Sequence, residues 1–221
     1  MVQLDNAPRY FFGTQRGGTT LDEGKGGGNP FASSLVELLE RERLTLAALR
    51  TGLTNLTIGK SGGWQHPEIS SLGKLARWRV LPPRANETRV ALVMVFSDYS
   101  SSGGLASLHG AEHDAGRVAK SLIGAGFSTT AVVDPTRQTL QTQLAKFRTR
   151  TRKSDAAMLY CTGHGLEVDG AVYLLPGDYP IARRSHALAT HGVRLGRLAS
   201  AVEATRVNLV FYAGCRDSRL G

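Results

Sequence analysis

The second half of the chain alternates continuous apolar runs with segments whose apolar residues recur every three to four positions. The apolar runs at 90–96, 127–133, 156–162 and 207–212 predict buried strands, and 172–175 predicts a further short strand. The intervening periodicity predicts three helices, marked by Ala111, Ala115, Val118, Ala119 and Leu122, by Leu140, Leu144 and Phe147, and by Leu195, Leu198 and Val202. Strands that alternate with helices indicate an α/β architecture built on a mainly parallel sheet.

The first 70 residues follow a different pattern. A strand at 9–14 leads into a glycine-rich loop at 13–28, and Asn29-Pro30 is a typical helix start. Two amphipathic helices follow, with Phe31, Leu35, Leu38 and Leu39 on one and Leu46, Leu49, Leu53 and Leu56 on the other. The run 73–89, with paired prolines and several charges, then predicts a linker.

The chain has 221 residues, of which 41% are hydrophobic, enough for a single domain over 1–221. Within it we distinguish segment 1–72, the linker 73–89 and segment 90–221. No apolar run reaches the roughly 20 residues that a membrane span needs, and the first residues lack the pattern of a secretory signal. We therefore expect a cytoplasmic protein without a membrane partner.

The formal net charge of +9 raises the question of a nucleic-acid partner. The basic residues form no continuous block, and no nucleic-acid-binding motif accompanies them. Nucleic acid is therefore the least favoured partner.

Candidate chemistry lies at the carboxyl ends of two predicted strands. His164 follows strand 156–162, and Cys215 follows strand 207–212. Open α/β sheets bind their ligands at that edge, and a cysteine attacks a carbonyl only as a thiolate, which a neighbouring imidazole can generate. Cys161, inside the apolar run, is expected to be a core residue.

Several strings resemble the loops of bacterial caspase-like proteins and metacaspases. YCTGHG resembles their histidine loop and NLVFYAGCRD their cysteine loop, and Cys215 follows His164 by 51 residues, a spacing that matches the caspase signature. EHDAGRVAKSLIGAGF and VDGAVYLLPGD resemble neighbouring large-subunit segments. YFFGTQRGGTTLDEGKGGGNPFASSLVELL resembles the small, p10-like subunit, which normally follows the cysteine. A p10-like segment that precedes the p20-like one is similar to the circularly permuted type III metacaspases.

This resemblance implies the caspase-hemoglobinase fold, a three-layer α/β/α sandwich with a mostly parallel six-stranded sheet. It implies a cysteine endopeptidase that acts on polypeptides through a Cys-His dyad. Cys215 would be the nucleophile, His164 the general base, and the amides of Gly165 and Cys215 the oxyanion hole.

The resemblance also bears on specificity. Asp114 and Asp22 match acidic positions of metacaspases and imply a basic residue, Arg or Lys, before the cut. Ala213 stands where those proteins carry a further acid. A preference for aspartate stays open, because Arg16 and Arg216 flank the same region.

No metal or other cofactor is predicted from the sequence. Asp169 and Asp178 are too few for the six to eight oxygen ligands that calcium prefers, so calcium dependence is open but not predicted. The remaining histidines are not assigned to a metal site and are expected to be exposed polar residues; they are His66, His109, His113, His186 and His191.

Two further questions stay open. The loss of an acid at Ala213 and the bulky Tyr212 fit an inactive, peptide-binding or adaptor protein as an alternative. The oligomeric state does not follow from the sequence.

Overall fold

The computed structural model describes residues 6–181 and 187–217. Its strands and helices are, in chain order, β1 (Arg9–Phe12), α1 (Pro30–Leu39), β2 (Leu44–Thr45), α2 (Leu46–Lys60), β3 (Glu68–Ile69), a 3-10 helix (Gly73–Arg77), β4 (Arg79–Leu81), β5 (Arg89–Val95), α3 (His109–Gly124), β6 (Ser128–Val133), α4 (Arg137–Thr151), β7 (Ala156–Thr162), β8 (Gly165–Val168), β9 (Ala171–Leu174), α5 (Leu188–His191), β10 (Val193–Arg194), α6 (Leu195–Ala199) and β11 (Val207–Tyr212).

The central sheet has six strands in the order β3-β1-β11-β7-β5-β6. All neighbouring pairs are parallel except β3 with β1 at one edge. The first strand of the chain, β1, therefore pairs with the last one, β11. This mostly parallel six-stranded sheet confirms the predicted α/β fold class.

Side-chain alternation along the central strands builds one core on each face of the sheet. Met158, Tyr160 and Phe211 point to the face covered by α1, α2 and α3, while Leu159 and Cys161 point to the opposite face. The second core includes residues of α4 and α6 and of the small sheet β10-β9-β8. Because each buried strand packs against apolar layers on both sides, its sequence is a continuous apolar run instead of an alternating one.

Asn29 starts α1 as the sequence predicted. Its side-chain oxygen accepts hydrogen bonds from the Phe31 and Ala32 amides at 2.8 and 3.4 Å, and Pro30 occupies the first turn. This satisfies two of the amides that a helix N-terminus leaves free.

Segment 73–89, predicted as a linker, is ordered and carries β4, which pairs with β2. Its last residue, Arg89, is buried inside β5, forms an ion pair with buried Glu87 and lies over the Trp78 ring at 4.7 Å. Its guanidinium also donates to the Val80 carbonyl at 2.6 Å. The charges of this segment therefore stabilise its packing.

Some predicted boundaries were wrong. β1 ends at Phe12, two residues earlier than the apolar pattern suggested, and α6 ends at Ala199, so that Val202 is buried outside the helix. The two-residue strand β3 and the strand β8 were not predicted from the sequence. These short strands owe their conformation to their partners, β1 and β9, more than to local propensity.

Candidate active site

The sheet register brings His164 and Cys215 to equivalent positions. β7 and β11 pair in parallel, with Cys161 opposite Tyr212, and each candidate residue lies three positions beyond that pair. Both residues are partly exposed, while their neighbours Cys161 and Tyr212 are fully buried. The two predicted dyad residues therefore share one edge of the sheet on adjacent strands.

Glycine permits the two loops to approach each other closely. A Cβ atom at Gly165 would lie 1.7 Å from the Tyr212 hydroxyl and 2.9 Å from the Cys215 carbonyl oxygen, and one at Gly214 would lie 2.7 Å from the Gly163 carbonyl. The Tyr212 hydroxyl donates to the Cys215 carbonyl at 3.0 Å. The buried Tyr212 side chain therefore binds the main chain of the cysteine loop and does not cover Cys215.

A main-chain carbonyl orients the His164 imidazole. Nε2 lies 2.8 Å from the Ala106 carbonyl oxygen, which can only accept a hydrogen bond. Nε2 therefore carries the hydrogen in the neutral ring, and Nδ1 keeps its lone pair. The ring also packs edge-on against Tyr99 at 4.5 Å, and the Tyr99 hydroxyl accepts from the His164 amide at 2.8 Å.

Burial lowers the pKa of His164 below its ordinary value, although the Ala106 carbonyl and the charge of Asp22 oppose the shift. The neutral form of the imidazole, which is the form that can accept a proton, is therefore favoured near neutral pH.

Cys215 contacts the glycine-rich loop of the first segment. The Thr20 amide donates to Sγ at 3.3 Å, and the Thr20 hydroxyl lies 3.5 Å from the same sulfur. Cys161, the other cysteine, is fully buried, and burial raises the pKa of its thiol well above the ordinary value. Of the two cysteines, only Cys215 combines partial exposure with polar contacts from Thr20 to its sulfur.

Four charged side chains form a network around Arg216, the residue that follows Cys215. Arg216 is 5% exposed, and its guanidinium contacts Glu167 at 2.8 Å and Glu68 at 2.7 Å and lies over the Phe12 ring at 4.1 Å. Arg16, largely exposed, binds the other oxygen of Glu167 at 2.8 Å. Two arginines were considered for aspartate recognition. The charge of Arg216 is buried and already paired with two carboxylates, whereas Arg16 is largely exposed and pairs with one.

Asp22 binds the N-terminus of α3. Its two carboxylate oxygens accept from the Gly110 and Ala111 amides at 2.9 and 3.0 Å, across 88 and 89 residues of sequence. Asp22 is half-buried. The carboxylate satisfies free amides of the helix end and favours its positive dipole.

Asp114 lies on α3 and is fully buried against the first segment. It accepts from the Asn29 amide at 2.8 Å and pairs with Arg117 at 3.2 Å. Burial raises its pKa to about 7, while the Asn29 amide and Arg117 oppose the shift. Asp22 and Asp114 thus both join the first segment to α3.

Asp114→Asn is expected to change the pH dependence of folding. Because the folded-state pKa is raised to about 7 from an ordinary value of 3.8, the stability contributed by the neutral acid is fully present below about pH 4 and is lost as the pH rises through about 7. Asparagine stays neutral, so the variant should gain on the order of 2–3 kcal/mol relative to wild type between about pH 5 and about pH 7.5. Urea unfolding at both pH values measures this.

Glu112→Gln, on an exposed residue in the first turn of the same helix, provides the control and should give the same small difference at both pH values. A constant difference for Asp114→Asn would show that Asp114 is already ionised in the folded protein at about pH 5.

The acidic residues considered for calcium do not converge. Asp169 lies exposed in the turn between β8 and β9, and exposed Asp178 lines a cavity of about 710 Å³ together with Asp98 and Asp134. Neither His164 nor Cys215 lines that cavity. The described residues, 6–181 and 187–217, contain no group of three His, Cys, Asp or Glu side chains that could hold a metal ion. His186 falls outside that range.

Several contacts at the site were not predicted from the sequence. Thr20 at the sulfur and the Ala106 carbonyl at the imidazole come from loops 195 and 58 residues away from their partners. Gln65, fully buried, accepts from the Leu21 amide and donates to the Gly13 carbonyl, which fixes the loop that carries Thr20. Most of these contacts use main-chain groups, which carry no residue-specific signal that the sequence could reveal.

The fold and the site together define an α/β sandwich that presents a thiol and an imidazole at the carboxyl edge of a mostly parallel sheet. The family model of the caspase domain matches residues 88–219, more than half of the chain. The chain therefore belongs to the caspase-domain family of peptidases. A search of curated proteins finds no significant match. No helix in the described part of the chain is long and apolar enough to cross a membrane.

Proposed function

We propose that the protein is a cysteine endopeptidase that cleaves polypeptides with a Cys215-His164 dyad. The observation that carries the proposal is the equivalent placement of two partly exposed, chemically suited side chains beyond paired strands β7 and β11. The free lone pair on Nδ1 of His164, which follows from the Nε2 contact to Ala106, supports it further.

In the proposed reaction, Nδ1 of His164 takes the proton of the Cys215 thiol, and the thiolate forms a bond to the scissile carbonyl carbon. The carbonyl π electrons move to oxygen, and the amides of Gly165 and Cys215 stabilise that oxyanion. Collapse expels the amine, which receives the proton from His164. A water molecule, deprotonated by the same imidazole, then hydrolyses the thioester and regenerates the thiol.

We propose a basic residue, Arg or Lys, before the scissile bond. Asp22 and Asp114 are carboxylates where the first segment meets α3, and the charge of Asp22 acts on both His164 and Asp114. The commitment of Arg216 to Glu167 and Glu68 reduces the case for an aspartate pocket. Asp114 is fully buried, so it would act on a bound cation through its field, whereas half-buried Asp22 is the better candidate for contact.

We further propose that the chain is a circularly permuted, metacaspase-like protein. Segment 1–72 supplies β1, which lies beside the cysteine strand β11, as well as Thr20 at the sulfur. The p10-like segment therefore contributes to the site although it comes first in the chain. Such a protein would need no internal cut to become active.

Hydrolysis of fluorogenic peptides that differ only in Arg, Lys or Asp before the scissile bond tests this proposal. The intact chain should cleave the Arg and Lys peptides at least about tenfold faster than the Asp peptide, since a carboxylate-lined pocket disfavours a second negative charge. The assay is run with calcium and with a chelator. Faster cleavage after Asp would contradict the proposed pocket but keep the protease, and activity that appears only after internal cleavage would contradict the proposal on permutation.

A further inference from the structure

Trp64 exposes an unusual amount of apolar surface close to the candidate nucleophile. Its side chain is 63% exposed, more than any other large apolar side chain in the described part of the chain. Tryptophan carries the largest apolar surface of any residue, and exposed aromatic residues are enriched where proteins bind ligands and partners.

The turn that carries Trp64 is fixed by hydrogen bonds. The Gly63 amide donates to the Ile58 carbonyl at 2.8 Å, and the Gln65 amide donates to the Ser61 hydroxyl at 2.9 Å. The next residue, Gln65, is fully buried and binds both Leu21 and Gly13. The exposed indole is therefore presented by a rigid support, which lowers the entropic cost of binding against it.

Contacts along the glycine-rich loop connect the indole to the nucleophile. Trp64 Nε1 donates to the Thr19 hydroxyl at 3.2 Å, and the next residue, Thr20, contacts Cys215 Sγ through its amide at 3.3 Å. Because consecutive Cα atoms are about 3.8 Å apart, the residue that contacts the indole, Thr19, lies next to the residue that contacts the sulfur, Thr20. An extended peptide rises about 3.3 Å per residue, so a substrate residue a few positions from the scissile bond reaches the indole.

We propose that the exposed face of Trp64 forms a subsite for an apolar side chain of the substrate, two to four residues from the scissile bond. This inference rests on the proposed peptidase function and adds a second specificity determinant to it. The Nε1 contact to Thr19 fixes the ring by its polar edge and leaves the apolar face for the substrate. A substrate side chain that covers this face removes two apolar surfaces from water.

Peptides with a fixed residue at the scissile bond test the subsite. Leucine and serine are compared at each of the second to fourth positions on either side of the bond. At one of these positions the wild type should prefer leucine by about tenfold in kcat/KM. Trp64→Ala should bring that ratio close to one, whereas Trp64→Phe, which keeps an aromatic face without the Nε1 hydrogen bond, should retain most of it. Ile123→Ala, at a similarly exposed apolar residue on α3, is the control and should leave the ratio unchanged.

Binding of the same peptides to Cys215→Ala protein, with and without the Trp64→Ala change, is measured in parallel by fluorescence anisotropy. Tighter binding of the leucine peptide that depends on Trp64 supports the subsite even if the wild type cleaves nothing, and the peptidase proposal then fails alone. Cleavage without any Trp64-dependent preference overturns the subsite and leaves the peptidase. Equal losses for leucine and serine peptides in both Trp64 variants would also overturn it, since they would indicate a role in positioning Thr19.

Discussion

Cys215→Ala is expected to abolish peptide hydrolysis, with kcat/KM falling by at least about a thousandfold. Alanine has no nucleophile, and the remaining binding and oxyanion contacts cannot form the covalent intermediate. His164→Ala should cause a loss of similar size, because the described polar contacts of the sulfur, from the Thr20 amide and hydroxyl, provide no alternative base. Initial rates on the preferred basic peptide measure both effects.

Cys161→Ala is the matched control. Cys161 is fully buried in β7, so its loss should leave kcat/KM within about twofold and cost only the small destabilisation of a shortened core side chain. A peptide electrophile should label wild type and Cys161→Ala once, and Cys215→Ala not at all. Hydrolysis that survives in Cys215→Ala would contradict the assigned nucleophile. Peptide binding without labelling or hydrolysis in the wild type would favour the inactive, adaptor-like alternative.

The described contacts of Tyr212 bear on that alternative. Its bulk beside the cysteine suggested, from the sequence, a side chain that obstructs the site. In the structure it is fully buried beneath the loop, where its hydroxyl donates to the Cys215 carbonyl. The absence of an acid at Ala213 therefore remains the stronger reason to consider an inactive protein.

The central strands could be predicted because their pattern is set by burial on both faces. The predicted bounds of β7 and β11 match the structure at both ends, and from these strands alone His164 and Cys215 could be placed at one edge of the sheet. The parallel register, with Cys161 opposite Tyr212, then places His164 and Cys215 at equivalent distances beyond their strands. Local hydrophobic pattern was sufficient for this part of the site.

The surroundings of the dyad could not be predicted in the same way. They depend on main-chain groups, such as the Ala106 carbonyl and the Thr20 amide, which every residue type carries and which leave no trace in the sequence. The two-residue strand β3 presents the same difficulty, since its pairing with β1 determines it. Asp22 and Asp114 were singled out from the sequence only as substrate-binding candidates, and the binding of their carboxylates to the Gly110 and Asn29 amides across long sequence separations was not predicted.

Two glutamates that each bind two arginines allow the effect of burial on the stability of an ion pair to be compared. Glu167 binds Arg216 and Arg16, and Glu203 binds Arg152 and Arg148. Each carboxylate would therefore keep a second arginine if one were removed. The Arg216 side chain is 6% exposed and that of Arg152 is 59% exposed.

Arg216→Met is expected to destabilise the protein by about 3 kcal/mol or more, because buried Glu167 then keeps only the largely exposed Arg16 as a partner and the stacking on Phe12 is lost. Arg152→Met, the same substitution at the exposed pair, should cost less than about 1 kcal/mol. Urea unfolding of both variants at neutral pH measures the difference. Arg216→Met should also slow alkylation of Cys215, since Arg216 fixes the adjacent residue, whereas Arg152→Met should not. Equal, small costs at both sites would mean that water reaches Glu167 and that the network does not support the cysteine loop.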